Sequence, residues 1–289
     1  MLYFLQVCEA ISNAYADQVM VCPTDEAEWA AIAHEYRIKW QVPHALGAID
    51  GKHIALRKPA GSGSLYHNYK GFFSIVLMAL VDADYKFIWA DLGGKGHQSD
   101  AQIYNDSELK ECLDNGDLHI PPADHLPNDN QDMPYFFLGD DAFGLRTSLM
   151  KPYPERGLTR SKRIYNYRIS RGRRVVENAF GILASRWRCL LRTMQQSPAV
   201  VVKMVKAMLV LHNLLRIRFP AAGNDIIDHE NENHEVIPGA WRLNANMNEV
   251  YMAVGGNYDQ LAAKRQRETL RIYFNSEAGS VPWQEQMVM

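Results

Sequence analysis

With 289 residues and 47% hydrophobic content, the chain has enough apolar mass for one large domain with appendages. Lys and Arg number 31 against 33 Asp and Glu, so a net charge of −2 excludes a uniformly basic or acidic protein. Apolar stretches such as "IVLMALV" are too short to span a bilayer, and the opening "MLYFLQVCEAISNAYADQV" lacks the basic start and cleavage site of a signal peptide.

In chain order, Phe4, Cys8, Ile11 and Tyr15 recur at helical spacing, predicting helices over 2–20 and 25–40, the second capped by Thr24. "HALGAIDGKHIALRK" reads as a strand with an embedded aspartate. "GFFSIVLMALVDADYKFIWADLG" is two apolar runs around "DADY", a β-hairpin. "HQSDAQIYNDSELKECL" opens on a Ser/Asp cap and continues as a helix, followed by a long Asp-, Asn- and Pro-rich loop over 114–133. "MPYFFLGD" is a continuous apolar run and therefore a central strand. "RRVVENAFGILASRWRCLL" and "AVVVKMVKAMLVLHNLLRIRF" are helices with wide apolar faces. Residues 221–249 read as a polar, acidic linker, and a last helix runs from about Tyr258 to Phe274. Cys8, Cys22, Cys112 and Cys189 lack C-x-x-C spacing and read as buried thiols of an intracellular chain. This order predicts an α/β (α+β) fold, a mixed sheet flanked by helices, with no internal repeats.

Charge is strongly segregated along the chain. From Gln98 to Asp141 acidic residues outnumber basic ones eleven to one, whereas from Lys151 to Arg192 twelve Lys/Arg face only Glu155 and Glu177. Arginines 156, 160, 163, 168, 171, 173 and 174, interleaved with Tyr153, Tyr165 and Tyr167, predict a stripe that contacts phosphates. Arg163, Arg168, Arg171, Arg173 and Arg174 are its candidate nucleic-acid contacts.

Three acids sit on predicted core elements. Asp50 lies within one apolar strand, Asp140 ends another, and Glu177 stands near the start of a helix, beside the stripe Val176, Phe180, Leu183 and Trp187. Carboxylates so placed raise one another's pKa unless a cation compensates them. Oxygen ligands select a hard divalent ion, Mg²⁺ or Mn²⁺, and a pair of ions roughly 3.5–4 Å apart suits phosphodiester hydrolysis. Gly181, one turn beyond Glu177, leaves room for another element to approach.

The motifs "LGAIDGKHI", "GHQSDAQIY", "FLGDDAFGL", "YNYRISRGRRVVENAFGILASRWRCL" and "VLHNLL", in that order, resemble the PIF/Harbinger transposases and Harbinger transposase-derived nucleases. The resemblance runs from about Trp40 to Phe219, with a weaker part at "LRIYFNSEAGSVPWQ". It implies an RNase H-like DDE domain over 41–219, preceded by N-terminal helices over 1–40 and followed by an acidic linker and helical tail over 220–289. It further implies catalytic residues Asp50, Asp140 and Glu177, with Asp100 as an additional metal ligand. Asp141 is off the family pattern and stands behind the ligands. Also implied are metal-dependent DNA cleavage in the nucleus, with some cytoplasmic protein possible, and a separate Myb-like partner. No membrane or small-molecule cofactor is expected. Relatives carry a helix-turn-helix region ahead of the catalytic domain, and this chain begins inside a helix.

Lys52 is a candidate phosphate contact, and His97 a candidate for the site mouth. His53 reads equally as a substrate contact or as a histidine satisfied near its strand. His212 and Asn213 read as structural, bonding across to the sheet, and Trp89 and Trp187 as core. Two other classes compete with the nuclease. One is a non-catalytic DNA-binding or scaffold protein that kept the fold, and the other is a small-molecule metal phosphatase, against which the basic stripe argues.

Overall fold

A computed structural model of the chain describes residues 2–243, 247–250 and 259–288. At its centre lie β1 (Ala45–Ala55), β2 (Ser74–Val81) and β3 (Phe87–Lys95), paired antiparallel in the order β3-β2-β1. The hairpin turns at "DADY", where Tyr85 adopts φ 66°. Two minor strands, β4 (Asp124–His125) and β5 (Asp132–Met133), form a hairpin inside the acidic loop predicted over 114–133. Beyond β1, the short β6 (Phe136–Leu138) and β7 (Leu149–Met150) extend the sheet in parallel, making it mixed as expected.

Strand β2 alternates its side chains between two cores. Ile75, Leu77, Ala79 and Val81 face one helical layer, and Val76, Met78 and Leu80 face the other. This double burial explains the uninterrupted apolar run. The first layer holds α5 (Arg160–Arg186), α6 (Pro198–Arg218) and α8 (Leu261–Phe274). The second holds α2 (Glu26–Glu35), α3 (Asp100–Asn105) and α4 (Glu108–Asn115). Helix α1 (Leu2–Val19) packs along α6. Trp29 of α2 is fully buried, 5.8 Å from Phe137, so the N-terminal helices are built onto the sheet domain.

Several boundaries differ from expectation. The cap of α2 is Asp25, which accepts from the Glu28 amide, one residue beyond Thr24. The helix predicted over "SDAQIYNDSELKECL" is two helices, because Ser107 caps α4 while Ser99 caps α3 in a capping box with Gln102. Helix α5 begins at Arg160 behind the Thr159 cap, so the basic segment is itself helical and Glu177 lies well inside the helix. Tyr258 lies outside the described residues, and the last helix begins at Leu261.

Helix α6 is long and apolar enough to cross a membrane by composition, which the sequence reading overlooked. It serves as a core helix, half of it buried. His212 bonds the Tyr85 carbonyl at 2.8 Å. The Asn213 amide accepts from the Phe87 N–H at 2.9 Å and donates to the Phe87 carbonyl at 2.8 Å, like an added strand residue. These are the structural roles expected of both residues. Of the cysteines only Cys8 is buried; Cys22 and Cys112 are half-buried and Cys189 is exposed, contrary to the expectation of four buried thiols.

The stretch predicted as a linker, 221–249, folds back onto α5. It contains β8 (His229–Glu230) paired with β9 (Val236–Ile237), α7 (Ala240–Leu243) and β10 (Asn248–Glu249), the last pairing antiparallel with β1 at Lys52 and His53. Two of its acids, Glu230 and Asp228, are satisfied by arginines of α5 and α7, so a polar composition does not leave it unpacked.

Candidate active site

Parallel strands bring the first two acids together. Ala48 of β1 pairs with Leu138 of β6, and two residues further along each chain stand Asp50 and Asp140. Adjacent strands lie about 4.8 Å apart. Asp50 and Lys52 share the α5 face of β1, and the Lys52 ammonium lies 5.8 Å from the Phe180 ring centre. Asp140 holds its own turn by accepting from the Ala142 amide at 2.9 Å.

Asp100, the first residue of α3, comes from the opposite layer. A Cβ on Gly51 would stand 1.9 Å from its Oδ1, so only glycine at this position lets the carboxylate approach the strand. Sequence reading missed Gly51, although the "DG" step directly after Asp50 was its visible signal. Asp100 is 1% exposed, and its Oδ1 has no hydrogen-bond partner among the described residues. Burial, then the charges of Asp50 and Asp140, raise its pKa well above the usual carboxylate range. Burial and the neighbouring Asp50 likewise push Asp140 up to about 6.

Cations of the chain itself compensate the remaining acids. Lys52 Nζ stands 2.9 Å from Asp50 Oδ2 and 3.5 Å from Glu249 Oε1. Burial lowers its pKa, but Asp50, Glu249 and Glu177 outweigh burial and raise it. Glu177 accepts from Arg173 Nη2 at 2.7 Å and from Arg242 Nη2 at 2.8 Å. Arg242 also forks onto the buried Asp228. The pKa of Arg173 is raised too, burial being outweighed by Glu177, Asp50 and Asp140. Trp241, next to Arg242, lies over Gly181, where an added Cβ would meet its ring at 2.5 Å. Thus the close approach expected at Gly181 comes from the returning C-terminal segment.

The three aspartates therefore converge, while Glu177 stands aside in two ion pairs. Among the described residues no three His, Cys, Asp or Glu side chains are disposed as a ready-made metal site. The donor set nevertheless fits a hard cation, because Asp100 carries a buried, unpaired oxygen and its neighbours are mutually repelling carboxylates. Such an ion would be held by Asp50, Asp100 and Asp140, and by Glu177 once its arginines release it.

Most of the predicted phosphate contacts are corrected by the geometry. Arg168 is 2% exposed and donates to the carbonyls of Gly279 and Gln41 and to the Gln284 side chain. Arg171 forks onto Glu230 at 2.7 and 2.9 Å and donates to the Trp40 carbonyl. Arg174 bonds the same Glu230 at 3.1 Å. With Arg173 on Glu177, only Arg163 of the five predicted contacts is exposed. His53 bonds Ser74 Oγ at 2.9 Å through Nδ1, while its buried Nε2 has no hydrogen-bond partner among the described residues, so the ring is only half satisfied; burial followed by Lys70 lowers its pKa to about 4. His97 is exposed and bonds the Leu65 carbonyl. Asp141 is exposed beside Asp140.

Residues 49–213 match the family described as DDE superfamily endonuclease. The chain belongs to that family. Within it the relatives are of the Harbinger transposase-derived kind, and the DDE domain is RNase H-like. The protein described as "Putative nuclease HARBI1" is 29% identical over 204 residues in both Bos taurus and Homo sapiens, covering 69% of this chain and 54% of the relative. The Arabidopsis thaliana "Protein ALP1-like" is 25% identical over 169 residues, covering 56% of this chain and 41% of that protein. The chain thus spans about half the length of the curated relatives it matches. No solved structure shows a significant match.

Proposed function

We propose that the chain is a divalent-metal-dependent DNA endonuclease that hydrolyses phosphodiester bonds at the site of Asp50, Asp100, Asp140 and Glu177. The observation that carries this reading is the approach of three mutually repelling aspartates on a DDE-family sheet, Asp50 and Asp100 buried and Asp140 half-buried, with an orphaned oxygen on Asp100. Bound Mg²⁺ or Mn²⁺, as one ion or a pair, would supply Lewis acidity and a nucleophile from water. The chain's own part is to hold these carboxylates in place on β1, in the turn after β6 and on α3, with Glu177 delivered from α5. Lys52 and Arg173 balance the negative charge of Asp50 and Glu177. As the family resemblance implies, action would lie in the nucleus with a separate Myb-like DNA-binding partner.

A second reading is a non-catalytic DNA-binding protein that kept the fold. It is favoured by one observation, the occupation of Asp50 and Glu177 by internal cations. Plasmid nicking separates the two. The nuclease nicks supercoiled DNA with Mn²⁺ or Mg²⁺ and not with EDTA, and Glu177→Gln lowers the rate by orders of magnitude while circular dichroism shows the fold retained. Equal nicking by wild type and Glu177→Gln overturns the role of Glu177, and no nicking by the wild type favours the second reading.

A further inference from the structure

Two long stretches of the sequence hold no Asp or Glu, residues 51–81 and residues 178–224. The fold joins them at the far end of β1. Leu56 pairs with Met194, the Arg57 N–H donates to the Met194 carbonyl at 2.8 Å, and the Met194 N–H donates to the Ala55 carbonyl at 2.9 Å. This stitching places the loop after β1 against the 3₁₀ turn Arg188–Leu191 and the residues following it. The resulting surface exposes Arg57, Lys58, Lys70, Arg188 and Arg192. Among the described residues none of these cations has an ion-pair partner, in contrast to Arg171, Arg173 and Arg174.

The surface is continuous with the acidic site. Strand β1 runs from Asp50 directly into it, and His53, three residues beyond Asp50, lies 6.5 Å from the Tyr69 ring and 5.9 Å from the Phe72 ring. Lys58 lies over the Phe73 ring at 5.4 Å, which steadies its long side chain without neutralising it. A shallow groove runs between Arg188 and Arg192, walled by the neutral donors Thr193, Gln195 and Gln196. Unpaired cations flanked by uncharged donors suit a phosphodiester backbone. Cations already paired inside the protein do not, because binding would first break their ion pairs.

We propose that Arg57, Lys58, Lys70, Arg188 and Arg192 form the surface that grips the DNA backbone and leads it to the acidic site, in place of the α5 arginines. The proposal rests on the nuclease reading for its substrate, and its test is independent of cleavage. Binding of a fluorescent DNA duplex is followed by anisotropy in EDTA over a range of salt concentrations. Each of the double variants Arg57→Ala/Lys58→Ala and Arg188→Ala/Arg192→Ala should reduce the slope of log affinity against log salt by about 2 and weaken binding roughly tenfold or more at 0.1 M salt. Arg163→Ala on α5 should leave the slope unchanged. Because the substituted side chains are exposed, melting temperatures should match the wild type, so lost binding is not lost folding.

Wild-type slopes in both double variants, or a slope reduced only by Arg163→Ala, would overturn the surface. Wild-type binding in the doubles beside Mn²⁺-dependent nicking by the wild type overturns the surface and leaves the nuclease standing. Weakened binding in the doubles with no nicking by the wild type supports the surface and removes the nuclease.

Discussion

Replacing Asp140 by Asn should stabilise the metal-free protein. The Asp140 pKa is pushed up to about 6 from the ordinary aspartate value of 3.8, first by burial and then by Asp50. At pH 7.5 the folded state must therefore hold a charge that the unfolded chain carries more easily. A pKa raised that far corresponds to roughly 3 kcal/mol, which Asn removes while its side-chain oxygen still accepts from the Ala142 amide. The raised pKa fixes the sign of the pH dependence. As pH falls through 6, folded Asp140 takes up a proton before the unfolded chain does, so the wild type recovers stability on acidification. At pH 5 the advantage of Asn should shrink by about 1.4 kcal/mol. Thermal unfolding in EDTA at the two pH values measures both effects as differences between variant and wild type, in which titrating groups away from the site cancel. The expected rise in Tm at pH 7.5 is roughly 5 °C or more. A neutral or destabilising substitution at pH 7.5, or a difference independent of pH, would refute the electrostatic account.

Three further outcomes follow from the same geometry. Arg168→Ala should cost roughly 3–5 kcal/mol in urea unfolding, because buried acceptors at Gly279, Gln41 and Gln284 lose their donor, while the folded fraction should bind DNA as the wild type does. Gly181→Ala should drive Trp241 off α5, since the new Cβ would meet its ring at 2.5 Å, and a red-shifted tryptophan emission would report it; an unchanged spectrum would contradict the packing. His212, held neutral with its pKa lowered by burial to about 3, binds its proton more readily in the unfolded chain, so its contribution is lost as pH falls below about 6.5. By pH 5 this should amount to roughly 2 kcal/mol, and His212→Gln should show that much less acid destabilisation than the wild type between pH 7.5 and 5.

The sequence reveals which residues are acidic and which elements are apolar, and these two signals suffice for Asp50, Asp140 and the mixed sheet. The run "MPYFFLGD" reads as a strand buried on both faces because its hydrophobicity is continuous, as β6 is. What the sequence hides is register and partnership. The placement of Asp50 beside Asp140 depends on the Ala48–Leu138 pairing, and the entry of Asp100 depends on the missing side chain of Gly51. The arginine stripe misleads for the same reason. Arg171 and Arg174 count as net positive charge in a window of the chain, but Glu230, the carboxylate that neutralises them, lies more than fifty residues away on the returning segment. That segment reads as a linker because it is polar, whereas its Glu230, Arg242 and Trp241 are docked on α5. The exposed cations Arg57, Lys58, Arg188 and Arg192 are distant in sequence and form no visible run, and only the Leu56–Met194 pairing assembles them.

The central claim is that Asp50, Asp100 and Asp140 form a cation site. Electron paramagnetic resonance of free Mn²⁺, titrated into the metal-free protein at pH 7.5, tests it without any requirement for cleavage. The account predicts saturable loss of the free Mn²⁺ signal with wild-type protein and little loss with Asp50→Asn or Asp100→Asn. A wild-type protein that leaves millimolar Mn²⁺ free, or an Asp100→Asn variant that binds it equally well, would contradict the assignment.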